Sequence, residues 1–293
     1  IMDGVVIRLA DDHFWYVQAN GGFDLWLMAL AAGMCLDVKV TDPKSRVLQV
    51  QGPKALEFLE RAAPGQIPEK FGYFHAAMFN FDGQDVLISR TGFTGDLGYE
   101  LWIEPALALE LWDALYAAGS DYGIQPYGEA ATNLARLEAG FIMPAMEFNE
   151  ALKTVHFRHD QTPFELSLGW LVDFKKPHFN GRQALLRDKE QGPEYTLVKL
   201  DIEGNKPAEE SHLYSNKRCT REIGYVTSAM WSPVVKANIA LAMIKTEYLK
   251  GDIWAEIYYN KELRHYSKVV RCRLQDKPFW APSRARATPP PPY

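Results

Sequence analysis

Between positions 90 and 100 the chain reads Arg90-Thr91-Gly92-Phe93-Thr94-Gly95-Asp96-Leu97-Gly98-Tyr99-Glu100, with three glycines at intervals of three. Apolar-alternating runs flank it, Val86-Leu87-Ile88-Ser89 before and Tyr99-Glu100-Leu101-Trp102-Ile103 after. The pattern predicts a strand, a glycine-rich turn and a second strand. Glycine supplies positive φ and lets a flat ligand approach the backbone closely. The turn delivers a carboxylate, Glu100, at the start of the second strand. A carboxylate beside a bare backbone loop suits a planar heterocycle with adjacent N–H donors, such as a pterin. The competing reading is a turn that merely closes a hairpin, with Glu100 an exposed cross-strand charge.

The remaining composition is that of a globular protein, 47% hydrophobic and 24% charged over 293 residues, enough for one large or two moderate domains. A net charge of −5 gives no electrostatic case for nucleic acid or for an anionic membrane. Cys35, Cys219 and Cys272 form no CxxC pair, which argues against a disulfide framework or a zinc knuckle and points to a reducing cytoplasm. No run approaches the length of a membrane span. The opening, Ile1-Met2-Asp3-Gly4-Val5-Val6-Ile7, reads as a strand rather than a signal peptide, so the chain is expected to begin inside a domain.

Two short strands, Val5–Arg8 and Phe14–Val17, precede a helical pattern over Phe23–Ala32. Val47–Val50 reads as a strand, and Gln51-Gly52-Pro53 opens a helix to about Ala62. A hairpin with Asp82-Gly83 as its turn follows, then helices from Pro105 to about Gly119 and from about Gly128 to Glu138, the latter stopped by Gly140. Beyond Tyr195 the texture becomes short β-runs: Val198–Ile202, Ile223–Thr227, Ile239–Ile244, Ile253–Tyr259 and Val269–Leu274. Turns are expected at Glu203-Gly204-Asn205 and Asn260-Lys261. Regular short strands suggest a small barrel or sandwich, with a domain boundary near Gly192-Pro193. The tail from Ser283, basic and then proline-rich, reads as a solvated extended end.

In order along the chain, several segments resemble the folate-dependent aminomethyltransferase family, typified by the T-protein of glycine cleavage. Arg90–Glu100 looks like its RTG(Y/F)TG-x-x-G-(F/Y)-E signature, and Arg136-Leu137-Glu138-Ala139-Gly140 matches its RLEAG. Gln161-Thr162-Pro163, Leu168-Gly169-Trp170 and Phe179-Asn180-Gly181-Arg182-Gln183-Ala184-Leu185 follow in place. Ile223-Gly224-Tyr225-Val226-Thr227-Ser228 with Ser232-Pro233, Ile239–Ala242 and Lys277-Pro278-Phe279 resemble the family's closing motifs. The resemblance covers nearly the whole chain. It implies an α+β, multi-subdomain folate-binding fold over residues 1–192 that lacks the family's opening segment. A small C-terminal antiparallel β-barrel over 193–280 and a flexible tail over 281–293 complete it.

It also implies roles for individual residues. Asp3 resembles an acidic residue near the folate that can hold a substrate amine and stabilise positive charge; alone, it reads as a solvated aspartate at a frayed end. Met2 stands where the T-protein usually has a second Asp. Glu100 would accept the pterin's amino and ring N–H groups, and Phe93, often Tyr in the family, could stack on its ring. Gln18 occupies the place of a ligand-touching Asn and can still donate and accept. Arg136 could reach a folate carboxylate, or serve equally as a structural ion-pair partner near Glu138. Thr132-Asn133 replaces an Arg-Asp pair, and Met143-Pro144-Ala145-Met146-Glu147 replaces a Y-G-N-D loop near substrate entry, which puts the glycine-cleavage substrate in doubt. His156-Phe157-Arg158-His159-Asp160 has only i, i+3 histidines and no third ligand, so it reads as a solvated loop and no metal is expected.

The resemblance implies tetrahydrofolate as cofactor and transfer of a one-carbon unit, methyl or methylene, to its N5. No protein nucleophile is needed, only position, proton management and a dry pocket. The donor would be a small methylated or aminomethyl compound, in the T-protein branch an aminomethyl group on a lipoyl carrier protein. In the demethylase branch, which includes dimethylsulfoniopropionate demethylase, a methyl group moves directly from sulfur or oxygen. Two alternatives remain: a non-catalytic folate-binding protein, or the folate module of a larger flavin-dependent demethylating oxidase. The first lacks support, because none of the three cysteines lies in the K-G-C-Y-x-G-Q-E context of that class.

Overall fold

A computed structural model describes residues 2–18, 22–81, 83–150, 154 and 161–292. Contacts divide the chain into two units, Gly4–Thr132 with Ala281–Tyr293, and Ile1–Asp3 with Asn133–Trp280.

The first unit opens with an antiparallel hairpin, β1 (Gly4–Arg8) and β2 (Phe14–Gln18), and helix α1 (Phe23–Gly33). Then follow β3 (Arg46–Gln51), α2 (Ala55–Ala62), β4 (Ala76–Phe81), β5 (Gln84–Ser89), β6 (Gly98–Ile103) and α3 (Ala108–Gly119). The four strands form an antiparallel sheet in the order β3-β6-β5-β4, so the glycine-rich segment does link two paired strands. Gly83 lies in the β4–β5 turn at φ +81°, while Asp82 lies outside the described residues.

Strand periodicity gives the sheet two different faces. Val50, Val86, Ile88, Tyr99, Leu101 and Ile103 point to one side, where Phe58 and Leu59 of α2 and Leu111 and Leu115 of α3 close a core over them. The alternate residues of β6 (Gly98, Glu100 and Trp102) point to the other side. Register places Gln49 and Ser89 directly beside Glu100. On that second face Trp102 donates to Ser89 Oγ at 3.2 Å and meets Trp15 of β2 edge-on at 6.2 Å, which lays the hairpin against the sheet.

Tyr99 belongs to the core face and is fully buried, stacked on Phe71 at 5.9 Å. Its hydroxyl has no hydrogen-bond partner among the described residues, and burial pushes its pKa up to about 12. An unpaired buried hydroxyl costs more than it returns, so Tyr99→Phe is expected to stabilise the protein by about 1 kcal/mol. Denaturant unfolding of the two proteins checks this, and a loss of stability would contradict it.

The second unit begins within α4 (Glu129–Ala139), which ends at Gly140 (φ +74°). After α5 (Arg182–Gln191) come β7 (Tyr195–Ile202), β8 (His212–Tyr214), β9 (Glu222–Ser232), β10 (Ala237–Lys245), β11 (Ile253–Lys261) and β12 (Arg264–Gln275). They close into an antiparallel barrel, ordered β10-β7-β12-β11-β8-β9, so the architecture is α+β with a C-terminal barrel as expected. Its filling is aliphatic, with Leu200, Leu213, Ile223, Ala240, Ile253 and Val270 all pointing inward. The β11–β12 turn is two residues later than expected. Asn260 and Lys261 still pair with His265 and Arg264, and Glu262 and Leu263 take the left-handed conformation at φ +50° and +61°. Two consecutive positive φ values match the strand twist of a two-residue hairpin, and here non-glycine residues supply them.

The tail also departs from expectation. Residues 284–288 do not run free as a solvated end, because the carbonyls of Arg284, Ala285 and Ala287 and the Thr288 hydroxyl receive the buried Arg90 guanidinium. Among the described residues no helix is long and apolar enough to cross a membrane.

Candidate functional site

Glu100 stands on the second sheet face with both carboxylate oxygens engaged. Gln49 Nε2 donates to Oε1 at 2.9 Å, and the Thr91 hydroxyl donates to Oε2. Thr91 is itself held at 2.7 Å from Ser89 Oγ. Burial raises the Glu100 pKa, and the bonds from Thr91 and Gln49 pull it back. Two donors occupy two of roughly four lone-pair directions, so the carboxylate keeps acceptor capacity for further N–H groups. The carboxylate is thus partly desolvated and oriented by two side chains of its own fold.

A cavity of about 620 Å³ runs along the edge strand β3; Glu100, Phe93 and Gln18 do not line it, but Gln49, the Glu100 partner, does. Gln49, Gln51, Trp112, Tyr116, Tyr127 and Thr132 are among its walls. Trp112 and Tyr116 are stacked at 6.3 Å, and all three aromatic residues are part-exposed. The Tyr127 hydroxyl titrates above its ordinary value, through burial and then through the Glu100 charge. Gln49 and Tyr127 therefore connect cavity and carboxylate. Size and lining match a small-molecule site, mostly apolar with a few convergent polar groups.

The glycines act otherwise than anticipated. Only Gly95 (φ +70°) needs a left-handed backbone. A Cβ at Gly92 or at Gly98 would collide with the Gln51 amide. That amide accepts from Thr94 Oγ1 at 2.9 Å, so a side chain of this protein, and not an approaching ligand, fills the space the two glycines leave.

Arg136 and Asp3 belong to the unit that carries the barrel; Glu100, Phe93 and Gln18 belong to the other. Phe93 is half-buried on the glycine loop. Gln18 pairs with Gly4 at the end of β2 and shares the Tyr16 face, opposite to the one Trp15 turns to the sheet. Asp3 is exposed and immediately precedes β1.

Arg136 is wholly buried and taken up by its own fold. Its Nε donates to Asn133 Oδ1 (2.7 Å), Nη1 to Glu147 Oε2 (2.8 Å) and Phe141 O (3.2 Å), and Nη2 to Ser228 Oγ (2.7 Å). Its counter-ion is Glu147, not a group near Glu138. Of the alternatives for Arg136, the geometry supports the structural ion pair, because four of its donor interactions are internal and no exposed face remains for a ligand.

Glu147 was not recognised from sequence as a partner. It also accepts from Ser228 Oγ at 2.5 Å, Thr227 Oγ1 at 3.2 Å and the Met143 amide at 2.8 Å. Glu138 accepts from Ser232 Oγ at 2.5 Å. The polar residues of Arg136–Gly140 thus pair with the serines of the Val226–Ser228 and Ser232-Pro233 segments. The signal was present as two ordered motifs, but their mutual contact is invisible without a fold. No group of His, Cys, Asp and Glu suited to a metal occurs among the described residues, and residues 156–160 lie outside them.

Comparison with known proteins decides the family. Residues 1–176 match the model of the GCVT N-terminal domain, and 196–280 that of the glycine cleavage T-protein C-terminal barrel domain. The chain belongs to the glycine cleavage T-protein family. An aminomethyltransferase of Caldanaerobacter subterraneus subsp. tengcongensis is 34% identical over 96% of this chain and 71% of its own length. A trimethylamine-oxide aldolase of Ruegeria pomeroyi is 38% identical over 83% of this chain but only 31% of that larger protein. The glycine cleavage system aminomethyltransferase T of Bartonella henselae shares the fold, with a TM-score of 0.79 at 23% identity over 96% of this T-protein relative and 72% of that chain.

Proposed function

We propose that this T-protein relative binds tetrahydrofolate and transfers a one-carbon unit from a small methylated or aminomethyl donor. One observation carries the reading: Glu100 is a partly desolvated carboxylate with acceptor capacity left over, oriented by Thr91 and by Gln49, and Gln49 also walls an aromatic-lined cavity. That fits a pterin, whose amino and ring N–H groups form a planar donor edge. When bound, tetrahydrofolate supplies N5 as the acceptor of the one-carbon unit. Glu100 fixes the orientation of the heterocycle, Phe93 offers a ring for stacking, and Gln18 offers an amide. To Asp3 we assign, from the family resemblance, the holding of the donor's cationic nitrogen.

The donor is narrowed by two departures from the T-protein pattern. Asn133 and Glu147 both serve Arg136 internally, so neither offers charge to a substrate. Thr132, in the cavity wall, presents a hydroxyl where the family has an arginine. A donor that needs no cation at that position fits better than one that does. The second reading is a folate module within a larger demethylating protein, supported by the small fraction of the Ruegeria pomeroyi trimethylamine-oxide aldolase that this chain matches.

Titration calorimetry with tetrahydrofolate, followed by incubation with methylated amines, sulfonium compounds and an aminomethylated lipoyl carrier, tests the proposal. Saturable binding and one donor yielding 5-methyl- or 5,10-methylene-tetrahydrofolate are expected. Failure to bind tetrahydrofolate at all would sink it, while binding without turnover of any donor would favour the non-catalytic alternative.

A further inference from the structure

Arg90 opens the glycine-rich loop and is 1% exposed, yet no carboxylate accompanies it among the interactions described. Its Nη1 donates to Phe71 O at 2.7 Å and to Thr288 Oγ1 at 3.1 Å. Its Nη2 donates to the carbonyls of Ala287 (2.6 Å), Arg284 (3.2 Å) and Ala285 (3.3 Å). Four of these five acceptors come from residues 284–288. The same segment returns a cation to the loop, since Arg284 grips Asp96 with both Nε and Nη2 at 2.6 Å. The Arg286 guanidinium sits 5.4 Å from the centre of the Tyr73 ring. A buried guanidinium deprived of its acceptors is costly, so the loop's conformation and the docking of the tail are thermodynamically one event.

We propose that residues 284–288 act as a clasp that positions the cofactor loop, Arg284 and Arg90 being positioning residues for Glu100. The path is short. Arg90 precedes Thr91 in the chain, and the Thr91 hydroxyl is one of the two donors that orient the Glu100 carboxylate. Asp96, at the far end of the loop, is fixed by Arg284 two residues before β6 and four before Glu100. Both ends of the loop are therefore tied to the same five-residue segment. The functional half of the proposal rests on Glu100 being the pterin acceptor; the structural half does not.

The test compares the full chain with a chain ending at Pro282, and with Arg284→Gln, Arg284→Lys and the exchanged pair Asp96→Arg/Arg284→Asp. Two measurements are made on each: tetrahydrofolate affinity by calorimetry, and hydrogen exchange of the amides of residues 90–98. Truncation is expected to weaken tetrahydrofolate at least tenfold and to speed exchange in the loop. Arg284→Gln should fall between, while Arg284→Lys and the exchanged pair should recover most of the loss. Unchanged exchange and affinity within twofold after truncation would overturn the clasp. If the full chain does not bind tetrahydrofolate, the exchange data alone decide the clasp and the cofactor assignment is what fails. If truncation unfolds the chain, the exchanged pair decides: recovery relative to Arg284→Gln supports the clasp, and none overturns it.

Discussion

Glu100→Gln is expected to weaken tetrahydrofolate binding by about 2–4 kcal/mol, roughly 30- to 1000-fold, because two charge-assisted hydrogen bonds become neutral ones. The neighbouring geometry should survive, since Gln keeps one acceptor oxygen for Gln49, and its amide nitrogen can donate to the Thr91 hydroxyl, which then donates to Ser89 instead. Stability should move the opposite way. Burial raises the Glu100 pKa, so the folded state disfavours the carboxylate. The sign follows from linkage: this group's destabilising contribution is absent below the ordinary carboxylate range and develops as pH climbs through the raised value. At neutral pH the Gln variant should therefore be no less stable than the parent while binding far worse. Tetrahydrofolate affinity of the parent should fall as pH drops through that same raised value, above where an ordinary glutamate protonates. Calorimetry across pH with thermal unfolding in parallel measures both; equal affinity for parent and variant would exclude Glu100 as the acceptor.

The second large effect concerns the unit that holds the barrel. Arg136→Ala removes one half of an ion pair in which both side chains are fully buried. Glu147 would be left with two hydroxyls and one amide, a buried charge without a counter-charge. Breaking such a pair from one side costs about 3–5 kcal/mol. The double replacement Arg136→Met with Glu147→Leu should recover most of that loss, since well-packed apolar side chains of similar size leave no charge stranded. Denaturant unfolding of the single and double variants distinguishes this from a ligand role. A single variant that keeps its stability but loses tetrahydrofolate would return Arg136 to the binding site.

Local rules made the strands, the helices and the glycine turn legible in the sequence. Period-two alternation assigned β5 and β6, and Gly140 marked the end of α4 because its backbone is left-handed. Ordered motifs made the barrel and the family legible. Glu100 was legible as a carboxylate delivered by a turn, but its partner Gln49 lies 51 residues away, and only strand register brings the two together. Arg136 stayed ambiguous for the same reason: its counter-ion sat in a segment that looked like a substrate loop. The tail misled because proline and arginine content describes a solvated chain well, and composition says nothing of a buried guanidinium in need of carbonyls.

Gln51, through its collision with any side chain at Gly92 or Gly98, also constrains how the sequence can drift. Alanine at either glycine obliges the Gln51 amide to swing away, and the cost is its hydrogen bonds to the Thr94 hydroxyl and the Thr91 carbonyl. The three positions, 41 and 47 residues apart along the chain, are therefore coupled through one side-chain amide. A designer seeking to stiffen the loop by replacing its glycines has to provide a new seat for Gln51, the last residue of β3, on the strand paired with β6.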